Sequence, residues 1–222
     1  MGKLTITSFV SLDGVMQAPG GPNEDTSGGF KHGGWLVPHA DEGMGAAIMD
    51  IFSRGDAYLL GRGTYDIFAA SWPKVTDEND VVAMKLNSLP KHVASRSQTK
   101  FDWNNSTHVA DVARDVAALK ARYDGELQVH GSPGLIQTLL KHDLIDDYHL
   151  FIFPVVIGAG KRLFGSGALP GTMKLVKSTV TENGTIIATY QKAGPLSTGE
   201  FDVDEQTGSM DIIERNKADK PK

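Results

Sequence analysis

Short apolar runs that end in glycine turns, each followed by apolar residues at helical spacing, recur along most of this 222-residue sequence. Lys3–Ser11 is rich in Leu, Ile, Val, Phe and Thr and reads as a strand, with Gly14 close behind. Met44, Ala47, Ile48, Ile51 and Phe52 repeat at helical spacing to about Arg54, and Gly55 fits a helix stop. Ala57–Leu60 is a strand ending in Gly61, and a weaker helical stretch covers Thr64–Ala70 and ends near Trp72-Pro73. Lys91–Ala94 is a strand after Leu89-Pro90, Asp111–Tyr123 an amphipathic helix, and Leu127–His130 a further strand. Gly131-Ser132-Pro133-Gly134 then opens a helix through Leu135, Ile136, Leu139 and Leu140, with Ser132 suited to the N-cap and Pro133 to the first helical position. Tyr148–Ile157 is so continuously apolar that it reads as a central strand covered on both faces. Met173–Val180 and Thr185–Gln191 alternate around Asn183-Gly184, a hairpin signal. Strands that alternate with helices and finish in a hairpin imply an α/β fold, with a mostly parallel central sheet flanked by helices and an antiparallel C-terminal edge.

This pattern defines one domain over residues 1–193. Residues 194–222 are polar apart from Phe201, Val203 and Ile212-Ile213, and read as a tail with a short helix near Ile212. Between strand one and the first helix, residues 14–38 hold seven glycines and three prolines. An irregular stretch of that length inside a compact domain is usually functional or disordered.

Composition narrows the chemistry. There are no cysteines, which removes disulfide scaffolds, thiolate zinc sites, iron–sulfur clusters and cysteine nucleophiles. The net charge of −5 is unlike the basic footprint of a nucleic-acid binder. No apolar run approaches the ~18–20 residues of a membrane span, and the N-terminus enters strand-like alternation without a signal-type apolar core. The expectation is a cytoplasmic protein with neither nucleic acid nor membrane as partner.

Several tempting motifs fail. Gly158-Ala159-Gly160-Lys161-Arg162 looks like a P-loop, but Val155 stands where its first glycine belongs and Arg162 where Ser or Thr should follow the lysine. Leu163 replaces the third glycine of a dinucleotide fingerprint, so a tight turn after a buried strand is the plain reading. His32, His39, Asp41 and Glu42 lack metal-ligand spacing. Asn104-Asn105-Ser106-Thr107 matches a glycosylation sequon and reads as a turn. Gly131-Ser132-Pro133-Gly134 is not a nucleophile elbow.

The turns that carry chemistry are Gly61-Arg62-Gly63-Thr64-Tyr65, Ser95-Arg96-Ser97 and Gly131-Ser132-Pro133-Gly134. Each follows a strand, and in open α/β sheets ligands bind at the carboxyl ends of strands. Arg62 and Arg96 suit bidentate bonds to phosphate oxygens. Backbone N–H groups opening the next helices suit a pyrophosphate. Three such turns in succession favour a phosphorylated ligand.

With these residues in place the sequence resembles a known family. Gly61-Arg62-Gly63-Thr64-Tyr65 after Tyr58-Leu59-Leu60 is similar to the Gly-Arg-x-Thr-aromatic turn of dihydrofolate reductases, and the element order matches. More closely, the chain resembles bacterial dihydrofolate reductase-like proteins related to the reductase domain of riboflavin biosynthesis. Ser11-Leu12-Asp13-Gly14, Gly33-Gly34-Trp35 with Asp41-Glu42, and Pro154–Gly160 leading to Leu163-Phe164 carry that likeness over roughly residues 2–192. The resemblance implies an NADPH-dependent reductase whose partner is a small heterocycle of pterin or pyrimidine type. It implies that Gly61, Arg62 and Thr64 meet the cofactor's phosphates, and that Ser95 and Arg96 lie near its 2′-phosphate. Gly131, Ser132 and Gly134 would cradle the pyrophosphate, with Gly158 and Gly160 bordering the nucleotide.

The hydride chemistry would belong to the cofactor, leaving the protein to position and protonate the ring. Asp41, three residues before Met44 and seven before Ile48, is expected on their inward helix face, or else simply complementing the helix N-terminus. Asp13, beside Gly14, is the rival catalytic carboxylate, and Trp35 is expected in the wall of the substrate pocket. The sequence departs from true dihydrofolate reductases in its longer, glycine-rich loop. The region after Trp72 offers only Lys74 to hold a folate carboxylate. The alternative reading is a nucleotide-binding or sensing module with little turnover. A third is a structural homodimer built on Tyr148–Ile157.

Overall fold

The computed structural model of the chain describes residues 2–165, 168–203 and 207–214. An eight-stranded sheet organises it. Its strands are β1 (Lys3–Ser11), β2 (Gly55–Gly61), β3 (Lys91–Ala94), β4 (Ser106–Val109), β5 (Glu126–His130), β6 (Asp147–Phe153), β7 (Met173–Val180) and β8 (Ile186–Lys192), in the order β4-β3-β2-β5-β1-β6-β8-β7. The six strands from β4 to β6 run parallel, and β8 and β7 close that end antiparallel. Five helices connect them: α1 (Glu42–Ser53), α2 (Arg62–Ser71), α3 (Val81–Ser88), α4 (Val112–Lys120) and α5 (Pro133–Lys141). The mixed α/β class expected from the alternation is the class found.

The alternation of side chains along the parallel strands divides the core in two. Leu4, Ile6, Leu59, Leu127 and Val129 face Val116 and Leu119 of α4 and Ile136 and Leu139 of α5. On the other face, Tyr58, Leu60 and Val93 pack with Phe52 of α1, Tyr65 of α2 and Leu86 of α3. Phe151 and Phe153 meet Met44 and Ile51 of α1 there. Burying a large aliphatic or aromatic side chain stabilises by about 1.5–3 kcal/mol, so both layers are needed to offset chain entropy.

The structure corrects several local expectations. Gly55 does not end α1 as a left-handed cap. It is the first residue of β2, and a Cβ there would meet Gln128 Oε1 at 2.8 Å. β6 stops at Phe153 because Pro154 cannot supply a ladder N–H. It lies between β1 and β8 in the sheet interior, so β6 offers no free edge for strand pairing. The helix expected over Asp111–Tyr123 spans only Val112–Lys120, with Asp111 accepting from the Arg114 N–H as its cap. Within residues 1–193 one α-helix and one strand were not expected: α3, capped by Asp80, and β4, which takes Ser106 and Thr107 out of the expected turn. The Asn183-Gly184 hairpin is a three-residue loop with Gly184 alone at positive φ, in which Thr181 accepts from the Gly184 N–H and donates to Thr185. Ile212 is not helical. β9 (Gly199–Val203) and β10 (Met210–Glu214) form a separate antiparallel hairpin.

Candidate functional site

At the carboxyl ends of the parallel strands the structure opens one cavity of about 1490 Å³. One end is made of turns. Gly61 caps α2, so the free N–H groups of the α2 first turn, at Arg62, Gly63 and Thr64, border the cavity. Gly131 and Ser132 both take left-handed conformations (φ 57° and 61°), which turns the chain from β5 into α5. Ser132 occupies the N-cap position but does not cap. Its hydroxyl accepts from the Gly61 N–H (3.0 Å), and its own N–H donates to Thr64 Oγ1 (3.0 Å). These two bonds lock the β2–α2 and β5–α5 turns side by side, so two helix N-termini face one space. A Cβ built at Gly63 or Gly134 meets nothing within 4 Å, so these turns leave bare backbone open to a ligand. Ser95 and Arg96, after β3, border the same cavity. Arg62 pairs with Asp66 at 2.7 Å across one helical turn in an exposed bridge. An exposed pair of this kind is worth little and is readily exchanged for a phosphate.

The other end is apolar above and polar below. Phe9, Met16, Leu36, Met44, Ile48, Ile51 and Phe52 supply the walls. His130, the last residue of β5, and Thr7, its partner in the middle of β1, border it, each more than nine-tenths buried. The His130 ring stacks on Phe52 at 4.2 Å. Burial holds its pKa down to about 3, with the neighbouring His149 adding to the effect. Its tautomer follows from its partners. Gln128 Nε2 donates to the Ile51 carbonyl (2.6 Å) and to Glu126 (2.8 Å), which leaves Gln128 Oε1 to accept from His130 Nε2 (3.1 Å). His130 Nδ1 is therefore the unprotonated nitrogen of a ring that lines the cavity. Thr7 Oγ1 is buried and has no hydrogen-bond partner among the described residues. A buried hydroxyl in that state favours a ligand that bonds to it.

A loop from Gln17 to Ser27 covers this end and brings Glu24 to the cavity. The buried Gln17 amide builds the loop. Nε2 donates to the carbonyls of Asp25 (3.1 Å) and Ser27 (3.0 Å), while Oε1 accepts from the Lys161 N–H (3.0 Å). Gly33 packs so tightly beneath it that a Cβ would lie 2.5 Å from the Gly21 carbonyl. Glu24 Oε2 accepts from the Gly20 N–H (2.7 Å). Burial raises the Glu24 pKa, and the charge of Asp25 adds to it. Asp25 is held by Lys161 (2.6 Å) and is lowered on balance.

Of the expected site residues, Gly61, Arg62, Thr64, Ser95, Arg96, Gly131, Ser132 and Gly134 come together around the cavity. Asp41, Asp13, Trp35, Gly158 and Gly160 do not line it. Asp41 is the N-cap of α1, at φ −146°, and so does not share the inward face of Met44 and Ile48. Its carboxylate accepts from the N–H groups of Met44 (2.8 Å) and Asn183 (2.9 Å), tying α1 to the β7–β8 turn. The adjacent Thr181 hydroxyl and these donors lower its pKa. Asp13 accepts from the Ser11 hydroxyl (2.7 Å) and from the N–H groups of Ile157 (3.0 Å) and Gly158 (2.8 Å), which hold it far below the usual carboxylate range. It pins the first loop to the segment after β6. Trp35 donates from Nε1 to the Gln17 carbonyl (2.8 Å) and stands edge-on to Phe153, buttressing the loop from behind. Gly160 (φ 136°) would drive a Cβ to 2.8 Å from Val15 and 3.0 Å from Phe30, a packing requirement. Sequence reasoning missed Glu24 and His130. The signal for His130 was its place directly before the Gly131 turn.

The profile of the RibD C-terminal domain matches residues 2–187, the span that builds this sheet and cavity. The chain belongs to this family. Among curated relatives, the uncharacterized protein YyaP of Bacillus subtilis (strain 168) is 28% identical over 195 residues, covering 86% of this chain and 96% of YyaP. The uncharacterized protein YwjB of the same organism is 25% identical over 163 residues, covering 73% and 82%. A crystal structure of a candidate riboflavin biosynthesis protein from Shewanella sp. PV-4 superposes with a TM-score of 0.63 at 25% identity, covering 86% of this chain and 99% of that one. Dihydrofolate reductase from Enterococcus faecalis, solved in complex with NADP(H) and RAB-propyl, shares the fold with a TM-score of 0.52 at 11% identity, covering 86% and 96%. RibD C-terminal domain membership and these neighbours give the chain a reductase-like fold. Among the described residues no helix is long and apolar enough to cross a membrane.

Proposed function

We infer that this chain is an NADPH-dependent reductase that delivers a hydride to a pterin- or pyrimidine-like ring. The observation that carries this reading is that one cavity joins two helix N-termini and Arg96 to an apolar chamber bordered by Glu24, His130 and Thr7. The residues suit the nicotinamide nucleotide. The bare turns at Gly63 and Gly134 fit a pyrophosphate, and Ser95-Arg96 fit a further phosphate on the ribose. When bound, the cofactor supplies the hydride. The protein's own part is to hold the ring against Phe9, Met44, Ile48 and Phe52 and to exclude water. His130 Nδ1 accepts from a ring N–H, and Thr7 Oγ1 bonds a second polar atom. Glu24, whose raised pKa keeps a protonated fraction available, donates a proton to the ring nitrogen beside the reduced carbon. The carboxylate left behind is reprotonated from solvent.

Titrating the purified chain with NADPH and NADH, followed by intrinsic tryptophan fluorescence, tests the cofactor half. NADPH is expected to bind more tightly, and Arg96→Ala to weaken NADPH about tenfold or more while leaving NADH nearly unchanged. Equal affinities, unaltered by Arg96→Ala, would remove the cofactor assignment. A sensing module with little turnover is favoured by one observation, that α1 presents no carboxylate to the cavity. Sustained NADPH oxidation with a reducible pterin or pyrimidine decides against it.

A further inference from the structure

The cavity has a third arm, which neither the phosphate turns nor the ring chamber uses. Thr64, Ile67, Phe68 and Ser71 recur at i, i+3, i+4 and i+7 along α2, and all four line the cavity. One face of the helix therefore borders the cavity from its first turn to its last. The face changes character on the way. It starts with Thr64 and the bare backbone of Gly63. Over the next seven residues, a rise of about 10 Å, it becomes Ile67, Phe68 and Ser71, continued by Trp72. Ile48 of α1 and Val82 of α3 complete the lining. Phe68 and Trp72 stand edge to face with ring centroids 6.3 Å apart. Ile67 is 38% exposed. An open apolar wall continuous with a ligand cavity is surface that a ligand would cover.

The charges decide what that ligand can carry. The three Lys and Arg residues that line the cavity lie elsewhere: Arg62 and Arg96 at the phosphate turns, and Lys161 on Asp25. Lys74, the one cation expected to hold a folate carboxylate, does not border the cavity. Lys85, one turn after Val82, is committed at the far end of the sheet, where its Nζ donates to the Gly55 carbonyl (3.2 Å). The last turn of α2 holds no basic residue, so the arm meets the negative end of that helix dipole. The start of α3 has the opposite polarity, but Asp80 already takes the Ala83 N–H (3.0 Å) and supplies the anion that this end attracts. Asp77 and Glu78 stand just before it in the chain.

We propose that the arm takes an uncharged apolar substituent of the substrate ring, of benzyl or branched-alkyl type, and excludes a phosphorylated or carboxylated one. The proposal rests on the reductase reading, which holds the ring in the chamber. Ile48 belongs to both walls, so a group carried by that ring enters the arm. Phe68 and Trp72 offer an aromatic group both edge and face, and the Ser71 hydroxyl offers one bond to an ether or alcohol. An anion in the same place would give up hydration with no cation to receive it.

NMR of protein labelled at isoleucine and valine methyls tests the arm with two aromatic probes of similar size, benzyl alcohol and benzoate. Benzyl alcohol is expected to shift the Ile67 and Val82 methyl signals by its ring current. Benzoate is expected to bind there at least tenfold more weakly. Ile67→Lys supplies a cation at a partly exposed position and should reverse the order, as read at Val82. Val82→Lys does the same from α3, as read at Ile67, and thermal unfolding verifies that each variant folds. On the ring itself, a uracil bearing a benzylamino group should bind at least tenfold more tightly than one bearing a 4-carboxybenzylamino group. Benzoate binding as tightly as benzyl alcohol, methyls that stay unmoved by benzyl alcohol, or a folded lysine variant that keeps the parent order would overturn the proposal. The two probe titrations involve neither nucleotide nor heterocycle, so they decide the matter even if NADPH fails to bind. Tight NADPH binding beside an arm indifferent to charge would remove this proposal and leave the reductase reading in place.

Discussion

Gln17 offers the sharpest test of how the cavity is built. Its side chain is 2% exposed and its amide joins three backbone groups from two segments far apart in sequence. Gln17→Leu keeps the volume and removes all three bonds. Each net bond is worth about 1 kcal/mol, and the stranded Asp25 and Ser27 carbonyls and Lys161 N–H are only partly able to find water, so the loss should be about 3 kcal/mol. For a chain of this size that corresponds to a fall in Tm of about 6–12 °C. Urea unfolding and calorimetry measure the global cost. Hydrogen exchange measures where it falls, and the expected signature is faster exchange at the Gly20 amide, whose N–H rests on Glu24. Nucleotide affinity should change little, because Gly61–Thr64 and Gly131–Gly134 are locked to each other by Ser132 and not by Gln17. A Tm within about 2 °C of the parent, with unaltered exchange in the loop, would show that the amide does not hold it and would refute the reasoning.

Three further outcomes follow from the same geometry. Gly160→Val should unfold at least about 2 kcal/mol more easily by urea titration, because φ 136° and the 2.8 Å approach to Val15 both oppose a side chain. Glu24 has a folded pKa above its unfolded one, so its contribution is fully present below the unfolded pKa and is lost as pH rises through the folded pKa. Glu24→Gln should therefore gain stability relative to the parent from mildly acid to neutral pH and lose that advantage at pH below the unfolded carboxyl pKa, as read by Tm against pH. His130 is held neutral, with a folded pKa of about 3 against 6.5, so stability falls as pH drops through that window while the unfolded chain takes up the proton. His130→Phe keeps a ring on Phe52 and should flatten this acid limb, though not abolish it, because burial also lowers His92 and His149.

What the sequence disclosed, and what it hid, divides along the range of the interactions involved. The turns at Gly61 and Gly131 were legible because strand, turn and helix start are written in consecutive residues, and the turn at Ser95 because a strand ends directly before it. α3 was not, since only Ala83 and Leu86 of its eight residues are buried and no apolar stripe marks it. β4 is a polar edge strand whose only buried residue is Val109, so its alternation is silent. At Ile212 a few apolar residues without a period do not distinguish helix from strand, and the pairing with Phe201 decides. Asp41 failed for a different reason. Counting back from Met44 assumes helical dihedrals, but an N-cap residue lies outside the helix and its carboxylate turns to the backbone.

The carboxylates make the general point. Asp13, Asp41 and Glu24 all sit beside glycines or a helix start in the first fifth of the chain, and composition does not rank them. Their surroundings do. Asp13 and Asp41 each accept from two or more donors, and those donors stabilise the charged form, which suits a structural staple and disables a proton donor. Glu24 is half-buried beside another acid, where desolvation outweighs the N–H it accepts from Gly20 and shifts its balance toward the neutral form. That difference is created by Gln17 and by Lys161, which neutralises Asp25 from a segment 136 residues away. If Lys161→Met released Asp25 as an unpaired charge, the Glu24 pKa should rise further, and a titration of the Glu24 carboxyl by carbon NMR would register it. A Glu24 pKa that stayed put or fell would mean that burial alone sets it and that Asp25 has no part in preparing the site.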